Sequence, residues 1–579
     1  MTIDPDNLEK GFEPGNEDWV PEPPKPEDKP VLTLAELLAT IFSRVCLGLL
    51  LFISFIAGVW VAGTCLHDPD TCWLLATGRY IVENHQIPVL DPFSWTFAAQ
   101  EAAGRHLVCY QWLSEVIFYL ASVPIRLVGL CLLCAVTITT AFFSVPMGFV
   151  VRRESPFIQS AWVIVLGMMA ASFHTLARPE IFSYLLIALY LQNTHDARVS
   201  TMRGEQKVFP LVFVLAPLMV LWANMHTGFV SGFAILFALC LGSFLSLLFI
   251  KAPVKNLLVS ASVAMLGCSI AACINPYGIG LYAYIPELFN SPVNEHIVEL
   301  QPVIGADLKI NPGLYPFLAL CLTYLFLMAR EIIAYLKSTG EAVERKLLAS
   351  ELLLNLICGT VAIWNGLAHG RVASFVTLIL VAEIIALLGH GQARHLKALT
   401  AGKSAEEKTA ANKTKFWTLL DLHTLDLWKA GGIYEMAIVA LCAIAGVCLV
   451  SFRITPPVLP AGSIAFEPPV EAVSFIEKNQ PAGKLFNDQQ YGDMLIYKGG
   501  GKPKVFIDTR FDMYGEKICI DYMVINDGEP GWQDLLKKYG IDWVFVRRKS
   551  ALAGNLKKDP TWETLYEDEK AVIMRQRQK

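Results

Sequence analysis

The sequence predicts an α-helical polytopic membrane protein with a C-terminal soluble α/β domain. Three observations lead to this fold class. The 579 residues are 54% hydrophobic and only 17% charged, whereas a soluble globular protein is usually about a quarter charged. Apolar runs long enough to cross a bilayer recur along most of the chain. Beyond about residue 456 the composition changes to that of a soluble domain.

The chain begins with an acidic, proline-rich segment, residues 1–38, without the basic start of a cleavable signal peptide. We expect it to be a disordered tail in the cytoplasm. Residues 39–455 are the predicted membrane domain, with about eleven spans. In chain order the predicted spans are 42–64, 126–150, 157–175, 179–193, 208–224, 228–250, 256–274, 313–336, 347–367, 372–390 and 431–452.

Lysine and arginine residues collect in alternate loops between these spans. Loops of this kind remain in the cytoplasm, so an odd number of spans places the C-terminal domain outside. The basic loops contain Arg152 and Arg153; Arg198, Arg203 and Lys207; Lys251 and Lys255; Arg330, Lys337, Arg345 and Lys346; and the residues from Arg394 to Lys415. The segments predicted on the outer face are 65–125, which is a large first outer loop, 174–180, 224–228, 275–312 and 368–371.

Residues 456–579 are predicted to form an extracytoplasmic α/β domain. Short strands, GKLFND, KVFID and DWVFVRR, alternate with helical segments such as GWQDLLKKYG. Asp508 and Arg510 lie at the end of KVFID, the strand end where α/β folds bind ligands. They form either a structural ion pair or part of a surface that recognises an acceptor.

The charge and cysteine patterns exclude some classes of protein. The chain has no basic stripe, so a nucleic-acid partner is not expected. The fourteen cysteines lie mostly inside apolar runs, and no zinc-binding spacing of four cysteines occurs. Cys65, Cys72 and Cys109 fall on the predicted outer side, where a disulfide is chemically allowed but no pair can be named.

Short polar motifs stand out in the outer segments. Ionisable groups at a membrane boundary are costly unless they face a cavity or a partner. The sequence therefore predicts one outward-facing polar cavity lined by carboxylates, histidines and two arginines. The alternative is that each group is an interfacial anchor, and that Asp68 or Asp70 is a helix cap. The motifs are HDPDTCWLLATGRYIVENH, FHTLARPEIFSYLL, LWANMHTGFVSG, INPYGIGLY, NEHIVELQP and NGLAHGRVASF.

The order of these motifs resembles a bacterial branch of the GT-C superfamily, multispan glycosyltransferases that use polyprenyl-phosphate-linked sugars. The resemblance covers about residues 40 to 547, and GKLFNDQQYGDMLIYKGGGKPKVFIDTRFDMYG is similar to the extracytoplasmic domain that often follows the membrane part. The chain departs from the pattern at Thr509, where glycine is usual, and at Leu300, where tryptophan is expected. It lacks WWDYG, which argues against an asparagine-directed oligosaccharyltransferase.

The resemblance implies a hexosyl- or pentosyltransferase of the cell envelope that moves a sugar, with inversion, from the lipid carrier to an acceptor on the extracytoplasmic face. The usual catalytic base of the superfamily matches Asp68 and Asp70 here. Because the donor carries a good leaving group, one base and cations for the departing phosphate suffice. The phosphate-binding candidates are Arg178, Arg371, His174 and His369. The sugar- or acceptor-binding candidates are Trp73, Asp91, Asn224, His226, Asn275, Tyr277 and Glu299.

No cofactor is firmly implied. A divalent metal, Mg²⁺ or Mn²⁺, held by Asp68 and Asp70 stays open and requires a further acid such as Glu299 to converge on the site. The expected partners are a polyprenyl-phosphate-linked sugar, an unidentified glycan, lipid or protein acceptor, and the lipids of a bacterial inner membrane. The alternatives are a non-catalytic GT-C-like subunit of a membrane assembly and a lipid or sugar transporter. Clustering of the polar groups at one boundary disfavours the transporter.

Overall fold

The computed structural model describes residues 41, 68–102, 104, 106–174, 176–204, 210–292, 294, 301–304, 312–400 and 468–577. The predicted tail, 1–38, and two predicted spans, 42–64 and 431–452, lie outside these residues.

The remaining predicted spans all coincide with helices. Within the described residues, five helices are long and apolar enough to cross a bilayer, judged by length and composition: Leu127–Arg153, Thr227–Ile250, Tyr315–Leu336, Ala342–Ala368 and Gly370–His395. The large apolar side chains of Trp162, Phe249 and Trp364 are 71–75% exposed, as expected of helices that face lipid. The chain is therefore an α-helical membrane protein.

The helices before the C-terminal domain are α1 (Asp70–Asn84), α2 (Thr96–Ala102), α3 (Trp112–Ile125), α4 (Leu127–Thr139), α5 (Val145–Arg153), α6 (Phe157–Ala171), α7 (Glu180–Met202), α8 (Leu211–Met225), α9 (Val230–Leu245), α10 (Lys255–Ala271), α11 (Gly280–Phe289), α12 (Tyr315–Leu336), α13 (Ala342–Ala368) and α14 (Gly370–Thr400). A π-helical turn, Thr140–Ser144, joins α4 and α5 into one span. Another, Ser246–Ile250, extends α9.

Helix α14 forms the centre of the membrane part. Within its most apolar stretch, 83% of the residues are buried. The helix packs against α13, α12 and α6. Its buried apolar face includes Leu380, Ile384 and Leu387, each fully buried. The outer ends of α13 and α14 meet at His369, where the chain leaves helical geometry for one residue.

Helices α1 to α3 form the described part of the first outer loop. Helices α1 and α3 approach so closely at Gly78 that an added Cβ would lie 2.1 Å from the Glu115 carbonyl oxygen. Trp112 Nε1 donates to Asn224 Oδ1 (2.9 Å) and Ser114 Oγ donates to the Met225 carbonyl (2.8 Å). These contacts hold α3, and through it α1, against the C-terminal end of α8.

The C-terminal domain contains a four-stranded sheet in the order β1-β2-β4-β3. β1 pairs with β2 in parallel, whereas β4 pairs antiparallel with β2 and β3. The predicted strands GKLFND and DWVFVRR correspond to β1 and β2. Its elements are α15 (Val470–Asn479), β1 (Leu485–Asn487), α16 (Gln489–Gly499), α17 (Phe511–Asn526), α18 (Trp532–Tyr539), β2 (Trp543–Arg547), α19 (Ala551–Leu556), β3 (Trp562–Glu567) and β4 (Ala571–Gln576).

The prediction of a sheet strand at KVFID is wrong. Val505 instead forms an isolated parallel bridge with Ser94 of the first outer loop. The Val505 amide donates to the Phe93 carbonyl (2.9 Å), and the Trp95 amide donates to the Val505 carbonyl (3.1 Å). The first outer loop satisfies these backbone groups in place of a neighbouring strand. This bridge places the residues after Val505 beside α1.

Candidate active site

Asp68 and Asp70 lie at the start of α1, and Arg178 meets both from the turn before α7. Arg178 Nε is 2.5 Å from Asp68 Oδ2, and its Nη2 is 2.9 Å from Asp68 Oδ1, a bidentate ion pair. The same Nε lies 3.1 Å from Asp70 Oδ2. The structure therefore brings together the two predicted catalytic carboxylates and one of the predicted phosphate-binding arginines.

The two carboxylates have different surroundings. Asp68 Oδ1 also accepts a hydrogen bond from the Asp70 amide (3.4 Å), the kind of contact that a helix-capping side chain makes. Asp70 lies in the first turn of α1, and its Oδ1 accepts a hydrogen bond from the Thr509 hydroxyl. Burial raises the Asp70 pKa from 3.8 to about 7, although Arg178 opposes the shift. Asp70 is therefore the member of the pair suited to exchanging a proton near neutral pH.

A second ion pair begins only two residues after Arg178. Arg371, at the start of α14, contacts Glu180 Oε1, and His174 Nε2 is 3.2 Å from the same oxygen. The Glu180 side chain is 3% exposed, whereas that of Arg371 is 26% exposed. The Asp68 side chain is likewise 3% exposed, and the Arg178 side chain is 17% exposed. In both pairs the carboxylate is enclosed and the guanidinium remains accessible.

His226 lies in the turn between α8 and α9. Its Nδ1 accepts from the Gly228 amide (3.0 Å) and lies 2.8 Å from Ser183 Oγ. Because Nδ1 accepts from the Gly228 amide, it carries no proton, so the Ser183 hydroxyl donates to it and the ring proton lies on Nε2. Ser183 Oγ in turn accepts from Trp222 Nε1 (2.7 Å). Burial lowers the His226 pKa to about 4. The imidazole is therefore a neutral hydrogen-bond donor through Nε2.

Three of the predicted sugar-binding residues make hydrogen bonds within the protein. Asn224 Nδ2 donates to the Ile274 carbonyl (2.8 Å), and Asn275 Oδ1 accepts from the Tyr277 amide (2.7 Å). The Tyr277 hydroxyl accepts from the Cys109 amide (2.7 Å). These bonds fix the outer turns against the first loop. A role of the three side chains in sugar binding stays a prediction.

Arg510 joins the C-terminal domain to the first outer loop. Its Nη2 is 2.7 Å from Asp508 Oδ2, and its Nη1 is 3.0 Å from Asp91 Oδ1. The guanidinium also lies over the rings of Trp73 and Phe93, 5.7 Å and 5.5 Å from their centres. The Asp508–Arg510 pair therefore extends beyond its own domain. Asp91 and Trp73, both predicted to bind the sugar or the acceptor, lie in this interface.

The described residues contain no group of three or more His, Cys, Asp or Glu side chains arranged to hold a metal ion. Asp68 and Asp70, at which a metal was left open, both contact the Arg178 guanidinium. Glu299 and Cys65 lie outside the described residues. Cys72 and Cys109 are free thiols.

Sequence reasoning missed a second buried polar cluster, which lies toward the opposite end of α7 from Glu180. Arg198 Nη2 is 3.0 Å from Glu351 Oε1, and its Nη1 is 2.7 Å from Glu383 Oε1. Arg153 Nη1 is 2.7 Å from Glu351 Oε1, and His195 Nε2 is 3.2 Å from Glu383 Oε1. Buried ionisable groups therefore also occur outside the predicted outer segments.

The misplacement of Arg198 has a simple cause. The predicted span ended at residue 193, which placed Arg198 in a loop, but α7 continues to Met202. Arg198 is therefore on a helix and is 3% exposed. Glu383, a lone acid in the apolar run LILVAEIIALL, could have indicated this cluster. An acid is rare in a membrane span unless it has a partner.

No protein-family model and no curated protein matches the chain. Among solved structures, the chain is similar to the crystal structure of ArnT from Cupriavidus metallidurans bound to undecaprenyl phosphate. The two share 9% sequence identity, the alignment covers 94% of this chain and 98% of that chain, and the TM-score is 0.41. A likeness of this degree does not indicate a function, so the proposals that follow rest on the contacts and the sequence of this chain.

Proposed function

We propose that this protein is a GT-C-type glycosyltransferase that moves a sugar, with inversion, from a polyprenyl-phosphate carrier to an acceptor at the outer face of the membrane. The observation that supports this proposal most is the environment of Asp70. Its carboxyl group lies between Arg178 and Thr509, and burial raises its pKa to about 7. The order of polar motifs in the sequence supports the same class of enzyme.

In the proposed reaction Asp70 is the general base. It accepts the proton of the acceptor as the acceptor atom attacks the anomeric carbon of the sugar. The bond from that carbon to the phosphate oxygen breaks, and its electron pair leaves on the polyprenyl phosphate. A base with a pKa close to the working pH is both sufficiently ionised and sufficiently basic for this step.

The departing phosphate requires positive charge at the position where its own negative charge develops. Arg371 is the best candidate, because its guanidinium is 26% exposed while its partner Glu180 is enclosed. Arg178 is held by Asp68 and stands next to the base. The neutral His226 ring can add a hydrogen bond through Nε2. In this scheme Asp68 orients Arg178 and the start of α1, and Asp70 carries the proton.

The test is a transfer assay on the full chain in lipid nanodiscs. The donors are polyprenyl phosphates that carry radiolabelled glucose, mannose, N-acetylglucosamine or arabinose, with membranes of the source cell as acceptor. We expect Asp70→Asn to lower the rate by about 10²–10⁴-fold without lowering the melting temperature. Asp521→Asn, in a peripheral ion pair with Lys538, is the matched control. Wild-type transfer by Asp70→Asn would exclude Asp70 as the base.

The buried cluster of Arg153, Arg198, Glu351 and Glu383, called the inner cluster below, favours a transporter as a second candidate. Charged groups inside spans often line substrate or ion pathways. Movement of a labelled lipid-linked sugar across proteoliposomes without any covalent product, lost in Glu383→Gln, would favour it over the glycosyltransferase. A non-catalytic subunit would instead copurify with partner proteins and would work equally well with Asp70→Asn.

A further inference from the structure

We propose that Asp493 and Thr509 of the C-terminal domain are positioning residues for Asp70: Asp493 keeps its proton when Asp70 loses its own, and the Thr509 hydroxyl orients the ionised Asp70. The inference rests on the proposed role of Asp70 as the base. It assigns the C-terminal domain a part in the chemistry at the membrane surface.

The contacts of Thr509 connect the two carboxyl groups. Its hydroxyl donates to Asp70 Oδ1, and its backbone amide donates to Asp493 Oδ1 (3.2 Å). Asp493 projects from α16 and is completely buried, and its Oδ2 makes no hydrogen bond within the described part of the chain. A buried ionised oxygen without a donor is strongly disfavoured. The geometry therefore favours a protonated Asp493.

The balance of charge gives the same result. Among the described residues, two guanidinium groups, those of Arg178 and Arg510, form ion pairs with four carboxyl groups around Thr509, and Asp493 adds a fifth carboxyl group without such a pair. The bidentate partners of these arginines are Asp68 and Asp508. The other three carboxyl groups have raised pKa values, with burial as the largest cause, and belong to Asp70, Asp91 and Asp493.

Other charged or titratable groups also act on the pair. Asp68, Glu180 and Arg178 act on Asp70, and Asp508 acts on Asp493. Cys72 of α1 and Lys498 of α16 lie near the same groups, and burial raises the pKa of the Cys72 thiol, which keeps it neutral. Burial, reinforced by the charges of Asp508 and Asp70, raises the Asp493 pKa well above its usual value. Asp70 faces the Arg178 guanidinium and the Thr509 hydroxyl, whereas Asp493 Oδ2 has no donor among the described residues, so Asp70 is the first of the two to lose its proton.

Thr509 has one hydroxyl proton, and its donation to Asp70 favours the charged form of that carboxyl group. Loss of the hydroxyl should therefore raise the Asp70 pKa further. Thr509→Val removes the hydroxyl while it keeps the shape and the backbone amide. Thr509→Ser keeps the hydroxyl. Asp493→Asn imitates a permanently protonated carboxyl group, so it should leave the Asp70 titration nearly unchanged.

The test is a pH titration of the full chain in nanodiscs, followed by infrared absorption of protonated carboxyl groups. The band that disappears near pH 7 in the wild type and is missing in Asp70→Asn belongs to Asp70. We expect Thr509→Val to move its midpoint upward by about one pH unit, and Thr509→Ser and Asp521→Asn to leave it in place. Asp493→Asn should instead remove a band that persists in alkaline solution.

Two results would overturn the inference: an unmoved Asp70 midpoint in Thr509→Val, or an alkaline band that survives in Asp493→Asn. The pH profile of transfer separates this failure from failure of the proposed function. If Asp70→Asn is inactive but the acidic limb of the pH profile of transfer is the same in Thr509→Val as in the wild type, the inference fails and the proposed function stands. If the infrared shifts occur while Asp70→Asn transfers sugar normally, the function fails and the carboxyl pair stands.

Discussion

Two of the buried ionic clusters in the described part of the chain are built differently. In the inner cluster two arginines meet two glutamates, and every side chain is at most 6% exposed. In the outer cluster carboxyl groups outnumber guanidinium groups, and Arg178 is 17% exposed. The inner cluster consists of Arg153, Arg198, Glu351 and Glu383, and the outer cluster of Asp68, Asp70, Arg178 and Asp493.

This difference distinguishes buried charges that stabilise the fold from buried charges that can take part in a reaction. A matched and enclosed set has no spare charge to offer a ligand, so the inner cluster fastens α5, α7, α13 and α14 to one another. An unmatched and accessible set holds a carboxyl group with a raised pKa, as active sites commonly do. The outer cluster is therefore the candidate for catalysis.

The largest expected effect comes from breaking the inner cluster. Arg198→Gln leaves Glu351 and Glu383 short of positive charge in a buried site, which should destabilise the protein by about 3–5 kcal/mol. Thermal unfolding in detergent and the yield of folded protein measure this loss. Arg203→Gln, at the exposed end of the same helix, is the matched control. An unchanged melting temperature in Arg198→Gln would contradict the structural role of the inner cluster.

A smaller effect is expected from Arg371, whose guanidinium is proposed to hold the donor phosphate. A hydrogen bond to a charged group contributes about 1.5–3 kcal/mol, so Arg371→Gln should raise KM for the lipid-linked sugar by about 10–100-fold. Arg371→Gln combined with Glu180→Gln removes the unpaired buried carboxylate and serves as the folding control. Arg79→Gln, which removes only a bond to the Tyr497 carbonyl, should leave KM unchanged. A normal KM in the double variant would exclude Arg371 as the phosphate ligand.

The smallest effect is on the pH dependence of stability. The Asp70 pKa is about 7 in the folded protein and 3.8 as a free side chain, so its contribution to stability is complete below pH 4 and declines as the pH rises toward 7. Asp70→Asn lacks this decline. Its melting temperature should therefore rise relative to that of the wild type by on the order of 1 °C for each pH unit between pH 4 and pH 7. A constant difference across that range would contradict the raised pKa.

Much of the membrane fold follows from the sequence alone, because long apolar runs have few alternatives to spanning helices. Charge sorting in the loops also located the polar residues of the outer cluster, including Asp68, Asp70 and Arg178. The predicted end of α7 was wrong because polar residues that face a buried partner look the same in sequence as residues of a solvated loop. Arg198 illustrates this limit.

The pairing within the outer cluster was beyond the reach of the sequence. Thr509 is more than four hundred residues from Asp70 along the chain, and no local pattern indicates that contact. Asp68 and Asp70 are both plausible helix caps by pattern, and only the orientation of their side chains distinguishes the partner of Arg178 from the partner of Thr509. The sequence thus supplied the candidate residues, and the structure supplied their contacts.

The most direct test of the central claim compares two isosteric changes, Asp70→Asn in the outer cluster and Glu383→Gln in the inner cluster. Sugar transfer is measured per folded molecule, with the folded fraction determined by size-exclusion chromatography of each variant. We predict that Asp70→Asn yields normal amounts of folded but inactive protein, and that Glu383→Gln yields less folded protein with near wild-type activity per molecule. The reverse result, active Asp70→Asn and well-folded but inactive Glu383→Gln, would contradict the account.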